Sequence, residues 1–238
     1  MSYQKITSDL KNLSNPVKAK VLSGFFKTGK GQYSEGDKFM GITVPKQREL
    51  AKKYYEKIDF GDLQKMLQNK IHEYRLTALF ILVYKYNQTT ENKQKKEIYN
   101  FYIKNLQYVN NWDLVDVTTP NIVGDYLLNN PNKKNILYKL VKSKNLWERR
   151  VAILATFSFI KEKQFEDSLE ISKILLCDTH DLIHKAVGWM LREIGKKDIK
   201  PLEKFLNKNA TKMPRTMLRY AIEKFPEDIR QYYLKMTK

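Results

Sequence analysis

Three tryptophans carry the clearest chemical signal in this sequence, because each has a charged residue one helical turn away. Trp112 in NNWDLVD has Asp116 at i+4, Trp147 in LWERR has Arg150 at i+3, and Trp189 in GWMLRE has Arg192 at i+3. Residues three or four apart share one face of a helix. A single tryptophan reads first as a core residue; three such pairs along one chain point to a surface. Indole rings pack on sugars and bases while guanidinium groups grip phosphates, so an aromatic wall with cations suits nucleic acid. Asp116 is the sharpest candidate for chemistry. With Asn111 as the helix cap, Asp116 falls just past the first turn, where the helix N-terminus would favour its ionised form. Asp113, nearer the end, reads as an ordinary first-turn acid.

Two other patterns lead nowhere. GFFKTGKG, Gly24 to Gly31, follows a phosphate-binding loop as far as Gly29-Lys30. The next residue is Gly31, where a Ser or Thr should hold magnesium, and the segment follows a helical pattern and not a strand. Its amides and lysines remain able to touch a DNA phosphate. His180 and His184 stand at i, i+4, but no third ligand accompanies them, so no metal site is expected.

The elements that must position these residues are helical. Leu79, Leu82, Val83 and Tyr86 form one stripe, as do Ile136, Leu137, Leu140 and Val141, and later Met217, Leu218, Ala221, Ile222 and Phe225. These spacings mark helices with one buried face. Val151 to Ile160 is apolar nearly all round and reads as a fully buried helix. Helix starts are signalled at Asn15-Pro16, Pro45, Asn111, Pro214 and Pro226. Five of the nine glycines lie between Gly24 and Gly41, predicting one long irregular segment. A faint repeat begins at Arg75, Asn110, Arg149, His184 and Leu218, at intervals of about 35 residues, the range of two-helix solenoid repeats. Stacked helix pairs would bring the charged starts to one concave wall.

Composition narrows the partner. The chain has 238 residues, 44 Lys plus Arg against 26 Asp plus Glu, and a formal net charge of +18. A field of that sign and size favours polyanions, nucleic acid before anionic membrane. At 42% hydrophobic residues the chain is too apolar for a disordered basic tail. One cysteine, Cys177, excludes a disulfide framework and fits a reducing compartment. The N-terminal residues show no apolar leader, and the most apolar stretch is too short to span a membrane.

NNWDLVDVTTPNIVGDYL, NLWERRVAILATFSFI and IHKAVGWMLREIGKKD resemble signature segments of the AlkD-like DNA alkylation repair glycosylases. FFKTGKGQYSEGDKFMGITVPKQR and MPRTMLRYAIEKF resemble the same family, in the same order. The resemblance implies an all-α fold: a HEAT-like helical-repeat solenoid, one domain over 1–238, curved with a concave basic face. It implies hydrolysis of the N-glycosidic bond of cationic N3- and N7-alkylpurines. The family's catalytic Asp falls on Asp116, its sugar-facing tryptophans on Trp112 and Trp189, and its cleft arginine on Arg150. An aromatic of the early helix, often Tyr in the family, falls near Phe25, where the hydroxyl is missing. Trp147, Arg192 and Lys185 are expected to contact DNA beside them. No cofactor and no metal are implied. The partner is double-stranded DNA containing alkylated purines, with no membrane, and the protein is expected to be a cytoplasmic monomer. The alternative is a non-catalytic HEAT-like module binding damaged or branched DNA, and a protein scaffold is a third.

Overall fold

The computed structural model describes residues 2–236. Their secondary structure is helical throughout, and among the described residues the only β pairing is an isolated parallel bridge between Lys38 and Ile71. The described residues pack as two compact units that divide between Ile122 and Val123.

The first unit holds α1 (Ser2–Asn12), α2 (Pro16–Phe25), α3 (Val44–Tyr54), α4 (Phe60–Leu67), α5 (His72–Gln88), α6 (Asn92–Lys104) and α7 (Trp112–Asp116). The proline signals operate as the sequence predicts. Pro16 opens α2 behind Asn15, whose side chain accepts the Lys18 N–H, and Pro45 sits in the first turn of α3. Pro tolerates this position because its missing N–H would have no partner there. At the centre is α5, buried on almost every side from His72 to Val83 and packed against α3, α4, α6 and α7. Such a helix needs no amphipathic stripe, since neighbours cover it all round. The glycine-rich segment runs irregularly from Phe26 to Thr43. Gly41 is required in it. Its φ of +80° lies in the left-handed region, and a Cβ there would collide with the Asn15 carbonyl and the Ala19 amide of α2.

The second unit holds α8 (Asp125–Leu128), α9 (Asn135–Leu140), α10 (Leu146–Lys161), α11 (Glu166–Ile174), α12 (Asp181–Lys197), α13 (Ile199–Asn209), α14 (Arg215–Ala221) and α15 (Glu227–Met236). Helix α10 is the all-round apolar helix: from Val151 to Ile160 every residue but Phe157 is buried. It packs on α12, which packs on α14, with α11 and α13 filling the intervals. The faint repeat in the sequence thus corresponds here to successive helices lying side by side. Gly188 permits the close approach of α12 and α14, because a Cβ would meet the Met217 carbonyl oxygen and Tyr220 Cβ at 2.5 Å. Among the described residues no helix is long and apolar enough to cross a membrane.

Candidate active site

In the first unit, Asn111 caps α7 as the sequence predicts, but its Oδ1 accepts the Trp112 N–H at 2.8 Å, one residue nearer than a usual cap bond. The helix is short, however, and ends at Asp116 itself. Pro120 explains the stop: it has no N–H to offer the Asp116 carbonyl four residues back. The Thr118 N–H turns to the Val115 carbonyl at 3.3 Å, and Pro120–Gly124 continues as a π-turn. This corrects one sequence expectation. Asp116 stands at the C-terminal end of a five-residue helix, so the helix N-terminus does not stabilise its charge.

Asp116 is half-buried. Its charge reaches Tyr102, whose hydroxyl lies 2.9 Å from both Thr118 Oγ1 and Thr119 Oγ1 in the interior. Burial pushes the Tyr102 pKa up to about 12; the two threonine hydrogen bonds oppose the shift and the Asp116 charge adds to it. Asp113 is the structural acid its position suggested. Its Oδ1 accepts the Leu114 N–H at 2.8 Å, and its Oδ2 lies 2.7 Å from His72 Nε2.

Trp112 is half-buried, with one indole face stacked on Phe26 at 5.3 Å between centroids and 16° between planes. The Phe25 ring meets it edge-on at 6.1 Å and 72°. The structure therefore brings the two expected aromatics together. Phe25 is 63% exposed and closes a ridge on α2 with Val21 and Val17, four and eight residues earlier; α2 buries none of its own residues. Between Leu10 and Ser34 the chain carries Lys11, Lys18, Lys20, Lys27 and Lys30 and no acid. An exposed apolar ridge flanked only by cations is unusual for a surface that meets water alone.

The expected residues of the second unit are less accessible. Trp147 is 8% exposed and Arg150 5%, both at the capped start of α10, and Arg150 Nη1 donates to the Leu182 carbonyl. Trp189 is half-buried near Phe157, with 5.9 Å between ring centroids. Its indole N–H donates to Glu193 Oε1 at 3.1 Å, so its nearest charged partner is this acid at i+4, where the spacing singled out Arg192. Arg192 pairs with Glu223 and with Glu193, and Lys185 Nζ lies 2.7 Å from Asp181. The two histidines of the i, i+4 pair serve the backbone. His180 Nδ1 accepts the Leu182 N–H, and His184 Nε2 bonds the Asp178 carbonyl.

Sequence reasoning missed a buried charged cluster beneath α7. His72, Asp37, Arg75 and Glu73 are all packed there, with Glu73 accepting the backbone N–H groups of Met40, Gly41 and Ile42 at 2.9, 2.7 and 3.2 Å. No periodic signal links Asp37 to His72 or His72 to Asp113, 35 and 41 residues apart. The one available hint was the density of acids and glycines around Asp37.

A family model described as DNA alkylation repair enzyme matches residues 6–225. Among solved structures, a predicted DNA alkylation repair enzyme from Enterococcus faecalis superposes with a TM-score of 0.70 at 17% identity, covering 90% of this chain and 97% of its own. AlkD2 from Streptococcus mutans gives 0.56 at 20% identity, covering 88% and 97%. The protein smu.31 from Streptococcus mutans UA159 gives 0.56 at 21%, covering 77% and 93%. At these identities the likeness is one of fold. No curated protein matches the chain.

Proposed function

The chain belongs to the DNA alkylation repair enzyme family, and from that premise we propose that it is a monofunctional DNA glycosylase. It hydrolyses the N-glycosidic bond of cationic N3- and N7-alkylpurines in double-stranded DNA, as a cytoplasmic monomer with a HEAT-like helical architecture. The observation that carries this reading is the short helix α7, which sets Trp112 on an aromatic stack and places half-buried Asp116 one turn on.

The chemistry needs little more. An alkylated N3 or N7 purine is already cationic and departs neutral, so no general acid is required where a sugar hydrolase normally uses two carboxylates. The sugar left behind is oxocarbenium-like. At about 4 Å and an effective dielectric near 20, one carboxylate stabilises a unit positive charge by about 4 kcal/mol. That corresponds to roughly a thousandfold in rate. Asp116 supplies this charge and orients the attacking water. Trp112, on the same short helix, offers an electron-rich face to the sugar cation. Arg192 and Lys185 contribute to holding the DNA, and the α2 ridge ending in Phe25 meets a groove with its lysines on the phosphates. Incubation with methylated duplex DNA, followed by analysis of released bases, tests the reading. Release of 3-methyladenine or 7-methylguanine is expected, and intact DNA after long incubation at excess protein contradicts it.

A second reading is favoured by specific observations: Phe25 lacks the hydroxyl its family position often carries, and Trp147 and Arg150 are nearly covered. On that reading the chain is a non-catalytic module for damaged or branched DNA. It predicts tight binding of such DNA with no base released.

A further inference from the structure

His72 is 2% exposed, and both of its ring nitrogens face carboxylates. Nε2 lies 2.7 Å from Asp113 Oδ2 and Nδ1 lies 3.3 Å from Asp37 Oδ2. Carboxylate oxygens only accept hydrogen bonds, so this placement is satisfied when both nitrogens carry protons, as in the imidazolium. Arg75 Nη2 bridges both Asp37 oxygens at 2.7 and 2.8 Å. Asp37 and Asp113 are thereby matched by two buried cations, while the third carboxylate, Glu73, is satisfied by backbone amides. A neutral His72 would leave one nitrogen lone pair against a carboxylate, at high cost in a desolvated site.

Two arms run from this cluster to α7. The backbone arm uses Asp113, in the first turn, and the cap residue Asn111, whose Nδ2 donates to Ser34 Oγ at 2.6 Å and to Asp37 Oδ2 at 3.4 Å. The ring arm is a cluster of packed rings, in which His72 also meets Phe26 directly at 5.1 Å and 38°. His72 lies on Phe39 at 4.7 Å, Phe39 on Phe26 at 5.0 Å, and Phe26 on Trp112 at 5.3 Å, with planes within about 23° at each step. Both the helix and its tryptophan ring are therefore referred back to one imidazole.

We propose that His72 is a positioning residue. As an imidazolium clamped between Asp37 and Asp113, it fixes Trp112 and, one turn on, Asp116 against the Ser34–Asp37 segment, and loss of its proton loosens both. The catalytic consequence rests on the glycosylase reading; the positioning itself does not. Burial alone would lower the His72 pKa, but the charge and hydrogen bond of Asp113 and the hydrogen bond of Asp37 outweigh it, against opposition from Arg75, and hold it above the ordinary value. The other charged groups around the ring are Glu73 of α5, engaged by the Met40–Ile42 amides, and Lys18 of α2, at the edge of an apolar cavity of about 210 Å³ that His72 also lines.

The test uses the full chain. NMR titration of the His72 ring is expected to give a midpoint above the ordinary value of 6.5, with a lower midpoint in Asp113→Asn. Single-turnover release of 7-methylguanine is expected to fall by about 10- to 100-fold in His72→Gln, with DNA affinity within about twofold. In the wild type, the rate should decline at alkaline pH with the midpoint of the His72 titration, and His72→Gln should show no such decline. A folded His72→Gln that releases base at the wild-type rate, or a wild-type rate that is flat while His72 titrates, overturns the proposal. If His72→Gln does not fold, Asp37→Asn carries the same comparison, with a smaller loss expected and a wild-type rate counting against it. If the wild type releases no base, the glycosylase reading falls separately. The positioning is then read from Trp112 fluorescence in a Trp147→Phe/Trp189→Phe background. Its acrylamide quenching should change as His72 titrates, and quenching that stays constant overturns the proposal.

Discussion

The two units hold their candidate functional residues in opposite ways. In the first, Trp112 and Asp116 ride on a helix anchored by buried, non-local contacts: His72 to Asp113, Arg75 to Asp37, and Glu73 to three amides of the glycine-rich segment. In the second, Lys185 and Arg192 sit in ion pairs that solvent reaches, such as Lys185 with Asp181, four residues apart on α12. Buried charge is expensive to disturb, because removing one partner strands the other. Surface pairs are screened and individually worth little. The first unit should therefore answer to mutation and pH, and the second to salt.

The largest effect that would sharpen this contrast is Glu73→Ala. Three buried amides lose their acceptor, and urea unfolding should show a loss of about 3–5 kcal/mol. A loss below about 1 kcal/mol, the range of exposed ion pairs, would break the contrast. Next is a control in the second unit, where stability lies in the apolar core. Leu154→Ala, at a fully buried site of α10, should cost about 3 kcal/mol in the same measurement.

A smaller, reversible effect is the pH dependence of the first unit. Burial raises the Asp37 pKa, but its hydrogen bond to His72 and the charges of Arg75 and His72 carry it below the ordinary carboxylate value of 3.8. That contribution to stability is complete above 3.8 and is lost as pH falls through the lower folded value. His72 is raised, so its contribution is complete below 6.5 and is lost as pH rises through the higher folded value. Urea midpoints should thus decline on both sides of this window, and His72→Gln should abolish the alkaline decline and weaken the acid one, because His72 supplies part of the Asp37 shift. The smallest effect on stability is expected for Lys185→Ala, about 0.5 kcal/mol or less. Its effect should appear in DNA binding, where the slope of log affinity against log salt becomes shallower by about 1. An unchanged slope removes Lys185 from the interface.

The helical fold was legible because its signals are local. Asn15-Pro16, Asn111 and the apolar run of α10 each act within a few residues, and the glycines from Gly24 to Gly41 announce their own irregularity. The residues of α7 were legible too, but not its length, because Pro120 acts on a carbonyl four positions upstream. Trp147 and Arg150 stood out for their types, yet they open the most buried helix of the second unit, and burial depends on neighbours that spacing does not name. Trp189 illustrates the same limit. Arg192 and Glu193 both lie within one turn of it, and only the packing of α12 beside α14 decides which of them its N–H meets.

In the proposed reaction the Asp116 carboxylate meets a transient sugar cation. The most direct test is the single-turnover rate of 7-methylguanine release by Asp116→Asn beside wild type, with the affinity of both for the same duplex. A rate lower by roughly a thousandfold is expected, with binding unchanged or tighter. Base release by Asp116→Asn at the wild-type rate would contradict it.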